Sequence, residues 1–195
     1  MDALLTRVDG AIDLAVGRRP EGWAKLDISA DGFWNSFLAI PACLPALLVT
    51  WLAHGALLTG SGASVSPAAL VVSLAVIELV IWAVTIGLLV VAAKPLGWGE
   101  RAVPAVIALN SASVPIAYAR AVPAALVLLM GMGEGVAFVM LVVEVLILIA
   151  YWRILSAALE RPVPMVAGVF IASLVLGYTL ADWGHHAFGL LPPTG

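Results

Sequence analysis

Six polar residues stand where they are most expensive to keep. Glu78 and Glu144 each lie near the centre of a long apolar stretch, and Asn110, Ser111, Ser113 and Arg120 lie inside a third stretch between them. An ionised side chain at the centre of a bilayer costs from about 2.5–3.5 kcal/mol upward. Each acid must therefore be protonated, paired or in contact with water. Two chemistries fit: a relay or binding site for protons or a solute, and a buried pair that holds helices together. One guanidinium can neutralise only one of two acids. Connectivity singles out Glu144 as the partner of Arg120. Their stretches are joined by a tight glycine loop, and Gly133 lies 13 residues from Arg120 and 11 from Glu144. At about 1.5 Å per residue these depths agree within a few ångströms. Glu78 sits on a different stretch and has no such argument.

Pro104, Pro115 and Pro123 interrupt the stretch that carries Arg120. A proline lacks the N–H and frees a carbonyl one turn back, and Asn110, Ser111 and Ser113 could supply substitute donors. Discontinuous helices line binding sites in transporters, so this stretch is the candidate site; a helix kinked only for packing is the alternative. Farther on, Asp182, His185 and His186 have a helical spacing that could gather them on a metal ion. No other histidine cluster supports that, and His54 is distant in sequence. They read as polar end-residues, and no metal or cofactor is expected. Catalytic signatures are lacking: there is no GxSxG, phosphate-binding loop, HExxH or dinucleotide glycine fingerprint. The aspartates lie at or before Asp31 or at Asp182, so no intramembrane Asp pair is formed. No enzymatic activity is expected.

The elements that must position these residues follow from composition. The chain has 195 residues, 63% apolar and 11% charged, where a soluble domain carries about 45–50% and about 25%. Its mean hydropathy is +1.11. Nine basic against twelve acidic residues give a net charge of −3, which excludes a cationic nucleic-acid surface. The single cysteine, Cys43, cannot form an internal disulfide. A membrane-crossing helix needs about 20 apolar residues. Five stretches qualify: residues 33–53, 68–93, 102–132, 136–155 and 163–181. Pro41 and Pro45 should kink the first. The third is irregular, and one broken crossing is favoured over a hairpin, because 121–132 is too short to span alone. The expected fold is all-α, a polytopic transmembrane bundle of five spans over residues 33–183. A short external tail (184–195) follows it. Residues 1–32 are too charged to cross, and no cleavable signal peptide is expected. There Leu4, Val8, Ile12 and Ala15 share one helical face and Asp2, Thr6, Asp9 and Asp13 the other. This predicts a short amphipathic helix, followed by an interfacial stretch around Trp23, Leu26 and Ile28.

Basic residues give an orientation. Counted along successive loops, Lys and Arg run 4-0-2-0-2-0, which places the N-terminus in the cytoplasm and the C-terminus outside. Trp23, Phe33, Trp34, Trp51, Trp98, Tyr151, Trp152, Trp183 and Phe188 fall at span ends, as an aromatic belt would. Only Trp82, four residues after Glu78, falls near mid-span. In the fifth span Gly168 and Ala172, and Ser173 and Gly177, are spaced four apart, which lets helices approach closely, within the bundle or in a homo-oligomer.

The ordering of these features resembles the Yip1-domain superfamily of five-span membrane proteins, over about Phe33 to Trp183. The parts that carry the likeness are Asn110-Ser111-Ala112-Ser113-Val114-Pro115, then Pro123 before an apolar run, then Tyr151-Trp152-Arg153-Ile154-Leu155 with a small-residue helix behind it. The start Phe33-Trp34-Asn35-Ser36-Phe37 is similar to that of the uncharacterised bacterial branch. The resemblance implies an N-inside five-helix bundle in the cell membrane, for the bacterial branch the inner membrane, and a non-enzymatic protein that organises protein or lipid partners. It supplies no site residues, and nothing matches a GTPase-binding motif. The competing expectation is a small transporter or channel that uses Glu78, Glu144 and the third span. A polar cavity reaching mid-span would favour transport; a dry bundle would favour organisation.

Overall fold

A computed structural model describes residues 2–60 and 66–190. Its elements are α1 (Asp2–Val16), α2 (Arg19–Lys25), α3 (Ala30–Ser36), α4 (Ala39–Gly60), α5 (Pro67–Ala93), α6 (Ala102–Met130), α7 (Glu134–Leu159) and α8 (Val163–Ala187). A single 3-10 turn, Gly99–Arg101, precedes α6. Among the described residues there is no strand. Five helical segments are long and apolar enough to cross a membrane: α3 with α4, then α5, α6, α7 and α8. This is the architecture of a multi-pass membrane protein, and helices satisfy it because hydrocarbon offers no partner to an unpaired backbone group. Helix α4 continues to Gly60, past the expected edge at residue 53, and α8 continues to Ala187, past residue 181. Asp182 is therefore inside the helix, as are His185 and His186, which were expected in the tail; of that tail, residues 191–195 lie outside the described part.

The break in the spans is in the first, not the third. Helix α3 ends at Ser36 and α4 begins at Ala39. Pro41 cannot donate to Phe37, four residues back, and its ring crowds that carbonyl. The chain answers with short turns, Phe37 N–H to Trp34 O (3.2 Å) and Leu38 N–H to Asn35 O (3.2 Å). Helix α6 instead runs unbroken through Pro115 and Pro123. Each of these prolines removes one donor, whereas a break would strand several backbone groups in hydrocarbon. The Ser113 hydroxyl adds a bond to the Asn110 carbonyl (2.6 Å) just upstream. Gly131, at φ +77°, then turns the chain out of α6 so that α7 can start at Glu134.

The densest packing lies at one end, here called the base. Ala11 and Leu14 of α1, Trp98 before the 3-10 turn, Ala105 and Ala108 of α6, Ile154, Leu155, Ala157, Ala158 and Leu159 of α7 and Val166 of α8 belong to one buried cluster. Helix α2 lies on α1 at a glycine crossing: a Cβ on Gly10 would stand 2.9 Å from the Gly22 carbonyl oxygen. Lys25 then bridges Asp9 (2.5 Å) and Asp13 (2.6 Å). Two expectations change here. Helix α1 buries Arg7, Gly10, Ala11, Asp13 and Leu14, and leaves Leu5, Ile12 and Val16 exposed. The close approach of α2 and the Lys25 bridge turn Asp13 inward; the expected face of Leu4, Val8 and Ile12 is not the buried one. Trp98 is fully buried in the base and is no belt residue. Three side-chain contacts tie the base together: Arg101 to Glu160, Arg161 to the Gly97 carbonyl, and Arg153 of α7 to the Ala15 carbonyl (3.3 Å).

Candidate functional site

Helices α6 and α7 are antiparallel neighbours, and their charges meet. Arg120 is ten residues before Met130 and Glu144 ten after Glu134 (130 − 120 and 144 − 134), so both stand at one depth. Arg120 donates from Nη2 to Glu144 Oε1 (2.7 Å) and from Nε to Oε2 (3.2 Å). This is the two-pronged geometry of a strong guanidinium–carboxylate pair. The side chains are 46% and 38% exposed. At this depth the exposed parts meet cavity or hydrocarbon more than bulk water.

Beside this pair the bundle opens into a cavity of about 480 Å³, bounded by α4, α5 and α6, with Tyr151 from α7 and Ala181 and His185 from α8. Its walls are largely apolar, including Leu47, Leu74, Ile77, Ile81 and Leu109. Glu78 enters from α5, eleven residues from Pro67 and fifteen from Ala93. Among the described residues no hydrogen bond or ion pair reaches its carboxyl. Arg120 is within electrostatic range of it and lines the same space.

Toward the base the cavity has a hydrogen-bonded floor. Asn110, almost fully buried, accepts from Trp82 Nε1 (3.2 Å) and donates to Ser36 Oγ (2.9 Å). Ser36 in turn donates to the Phe33 carbonyl (2.7 Å), which anchors the end of α3. The α3–α4 break is what brings Ser36 to this point. Phe37 packs edge-on against Trp82, ring centroids 5.5 Å apart. Above the floor the Cys43 thiol lies 3.6 Å from Ser113 Oγ. At the end away from the base, His54 of α4 and His185 of α8 stack with centroids 5.2 Å apart. Gly55 against Leu70 and Gly184 against Ile77 draw α4 and α8 onto α5 there; a Cβ on Gly184 would stand 2.7 Å from Ile77 Cγ1.

Of the six polar residues singled out in the sequence, Glu78, Asn110, Ser113 and Arg120 line this one cavity. Glu144 backs it through Arg120. Ser111 points elsewhere and is buried with its hydroxyl unpartnered. Sequence reasoning did not bring in Cys43, His54, Trp82, Tyr151 or His185; position counted from span ends would have placed Trp82 at the Asn110 level. Asp182 turns to His186 (3.8 Å) and His185 to His54, so the three do not converge. Among the described residues no group of three His, Cys, Asp or Glu side chains could hold a metal ion. Of the small-residue pairs, Gly177 meets Ile81 on α5, while nothing lies within 4 Å of a Cβ built on Gly168.

No family model, no curated protein and no solved structure matches this chain. The chemical reading rests on the site. One carboxyl has no fixed partner, one guanidinium–carboxylate pair is self-neutralised, and both adjoin a space large enough for a small ligand, since such pockets measure about 300–1,000 Å³.

Proposed function

We propose that this chain is a small membrane transport protein and that the cavity between α4, α5 and α6 is its solute site. One observation carries the reading: Glu78, with no hydrogen-bond or ion-pair partner among the described residues, shares one open space with Asn110, Ser113 and Arg120, where a dry bundle would have paired or buried its carboxyl. An unpaired carboxyl at mid-span is costly, and a cavity that admits water or a charged solute gives Glu78 a use. The orientation read from the sequence goes with this. Lys25, Arg101, Arg153 and Arg161 all belong to the base, so the positive-inside rule puts the base in the cytoplasm. The floor at Asn110 then faces the cytoplasm, the His54–His185 end faces out, and α1 lies at the membrane surface with Leu5, Ile12 and Val16 toward lipid. For a chain of the bacterial type the membrane is the inner one.

A second reading, a Yip1-like organiser of membrane partners, is favoured by the unpacked face of α8 at Gly168 and Ala172, which would admit another helix. Cysteine labelling separates the two. Cys43→Ser removes the only cysteine. On that background Thr50→Cys, in the cavity wall, should react with a membrane-impermeant thiol reagent added outside intact cells. Absence of reaction at Thr50, together with cross-linking of copies through Gly168→Cys, would favour the organiser. A cytoplasm-only reporter fused at the C-terminus should be silent.

A further inference from the structure

We infer that the solute is a monovalent organic cation with a large apolar body, bound by Glu78 in exchange for one proton. The inference rests on the transport reading above. It follows from which charges around the cavity are already satisfied. Arg120 commits Nε and Nη2 to Glu144, so that pair carries no net charge toward the solute. Glu78 has no such partner among the described residues, and its charge is left over.

The alternatives fail on the same wall. An anion would have to displace Glu144 from Arg120 while facing Glu78. A divalent metal ion takes six or more oxygen ligands or a convergent His and Cys set, and among the described residues no such group forms. A neutral sugar-like solute would leave the Glu78 carboxyl without a counter-charge and would have to lie against the apolar wall of Leu47, Leu74, Ile77 and Ile81. An organic cation matches the unpaired carboxyl and the apolar wall together. Its charge goes to Glu78, its apolar part to these side chains, and the rings of Trp82 and Tyr151 in the same wall add aromatic faces that attract cations.

The exchange balances. Glu78–COOH and a free cation give Glu78–COO⁻ with the cation beside it, and one proton passes to water in the cavity; nothing is oxidised or reduced. The empty protonated site and the loaded ionised site carry the same charge, which is how a low-dielectric space can accept both. The other titratable groups that line the cavity with Glu78 are Cys43 and His54 on α4, Arg120 on α6, Tyr151 on α7 and His185 on α8, with Glu144 of α7 paired to Arg120. Of these, Arg120 and Glu144 form the ion pair described above, whose charges cancel. Affinity for the cation should then rise by about tenfold per pH unit for as long as the empty site is protonated.

The test uses the full chain in lipid nanodiscs, with empty nanodiscs to subtract partitioning. The probe is methyltriphenylphosphonium, whose charge is permanent and which has no proton to lose. Wild type should bind it more tightly as pH rises and release protons into weakly buffered solution as it binds. Glu78→Gln should lose at least tenfold in affinity and all the proton release, while Glu78→Asp keeps both. Tetraphenylborate, the anion of similar shape, should not bind. Equal binding by Glu78→Gln, binding without proton release, or preference for the anion would overturn the inference. If Thr50→Cys is still labelled in that event, the transport reading stands without this solute class; if it is not labelled, both fall.

Discussion

Removing Arg120 should destabilise the protein, and removing Glu144 as well should cost less than the two single losses added together. The two-pronged contact at 2.7 and 3.2 Å sets the scale. Truncating one partner of a fully buried pair costs about 3–5 kcal/mol, because the survivor is stranded, while a fully exposed pair is worth about 0.2–1 kcal/mol. With side chains 46% and 38% exposed, the expectation for Arg120→Ala lies between these limits, at about 2 kcal/mol. For a chain of this size each kcal/mol moves the melting temperature by about 2–4 °C, so a fall of about 4–8 °C is expected. Glu144→Gln should cost more, since the stranded carboxylate of the first variant can take up a proton and the stranded guanidinium of the second cannot release one. The assay is a double-mutant cycle by thermal melting in one detergent, with coincident transitions by two probes. Arg120→Ala with Glu144→Gln should cost less than the sum of the two losses by about 1–2 kcal/mol. Simple additivity would refute the pairing, and Arg120 would then be a residue that reaches outward to the headgroups.

Other perturbations test the floor, the far end and the base. Asn110→Leu should cost about 2–4 kcal/mol, because it leaves Trp82 Nε1 and Ser36 Oγ without their partner; a melting temperature like that of wild type would refute the floor. Gly184→Leu should cost about 1–3 kcal/mol by forcing a side chain against Ile77, and thermal melting should show it where Gly168→Leu shows little. At the base, hydrogen bonds donated to Asp13 and then Asp9 hold the Lys25 ammonium charged above its ordinary value of 10.5. A raised base contributes below its unfolded value and loses that contribution as pH climbs through the folded one. Spin labels on α1 and α2 should therefore stay close at neutral pH and separate only above about pH 10.5, whereas Lys25→Met should loosen them throughout.

Much of the frame could be read from the sequence because it depends on local quantities. Span edges follow from where charge and Gly or Pro appear, and the depth match of Arg120 and Glu144 follows from one short loop. The location of the break could not be read that way. The third span has three prolines, but Pro104 sits in its first turn, where no donor is needed, and Pro115 and Pro123 each remove a single bond. In the first span Pro41 falls where the chain leaves the base, and short turns at Phe37 and Leu38 replace helix. The buried face of α1 was hidden for a different reason: Gly10 meets Gly22 and Asp13 meets Lys25 through tertiary contacts that periodicity does not encode. The cavity is the least local feature of all. His54 and His185 are 131 residues apart (185 − 54), and no spacing rule joins them.

The Arg120–Glu144 pair also bears on how the chain enters the bilayer during synthesis. A span that partitions alone carries its central charge into hydrocarbon at about 2.5–3.5 kcal/mol on insertion scales. Helices α6 and α7 are separated by only three residues, Gly131 to Gly133, so their charges can neutralise each other before either leaves the insertion machinery. They would be released together as a hairpin. Helix α5, with Glu78, has no neighbour of opposite charge at that stage and must enter with its carboxyl protonated or wait for Arg120 to arrive.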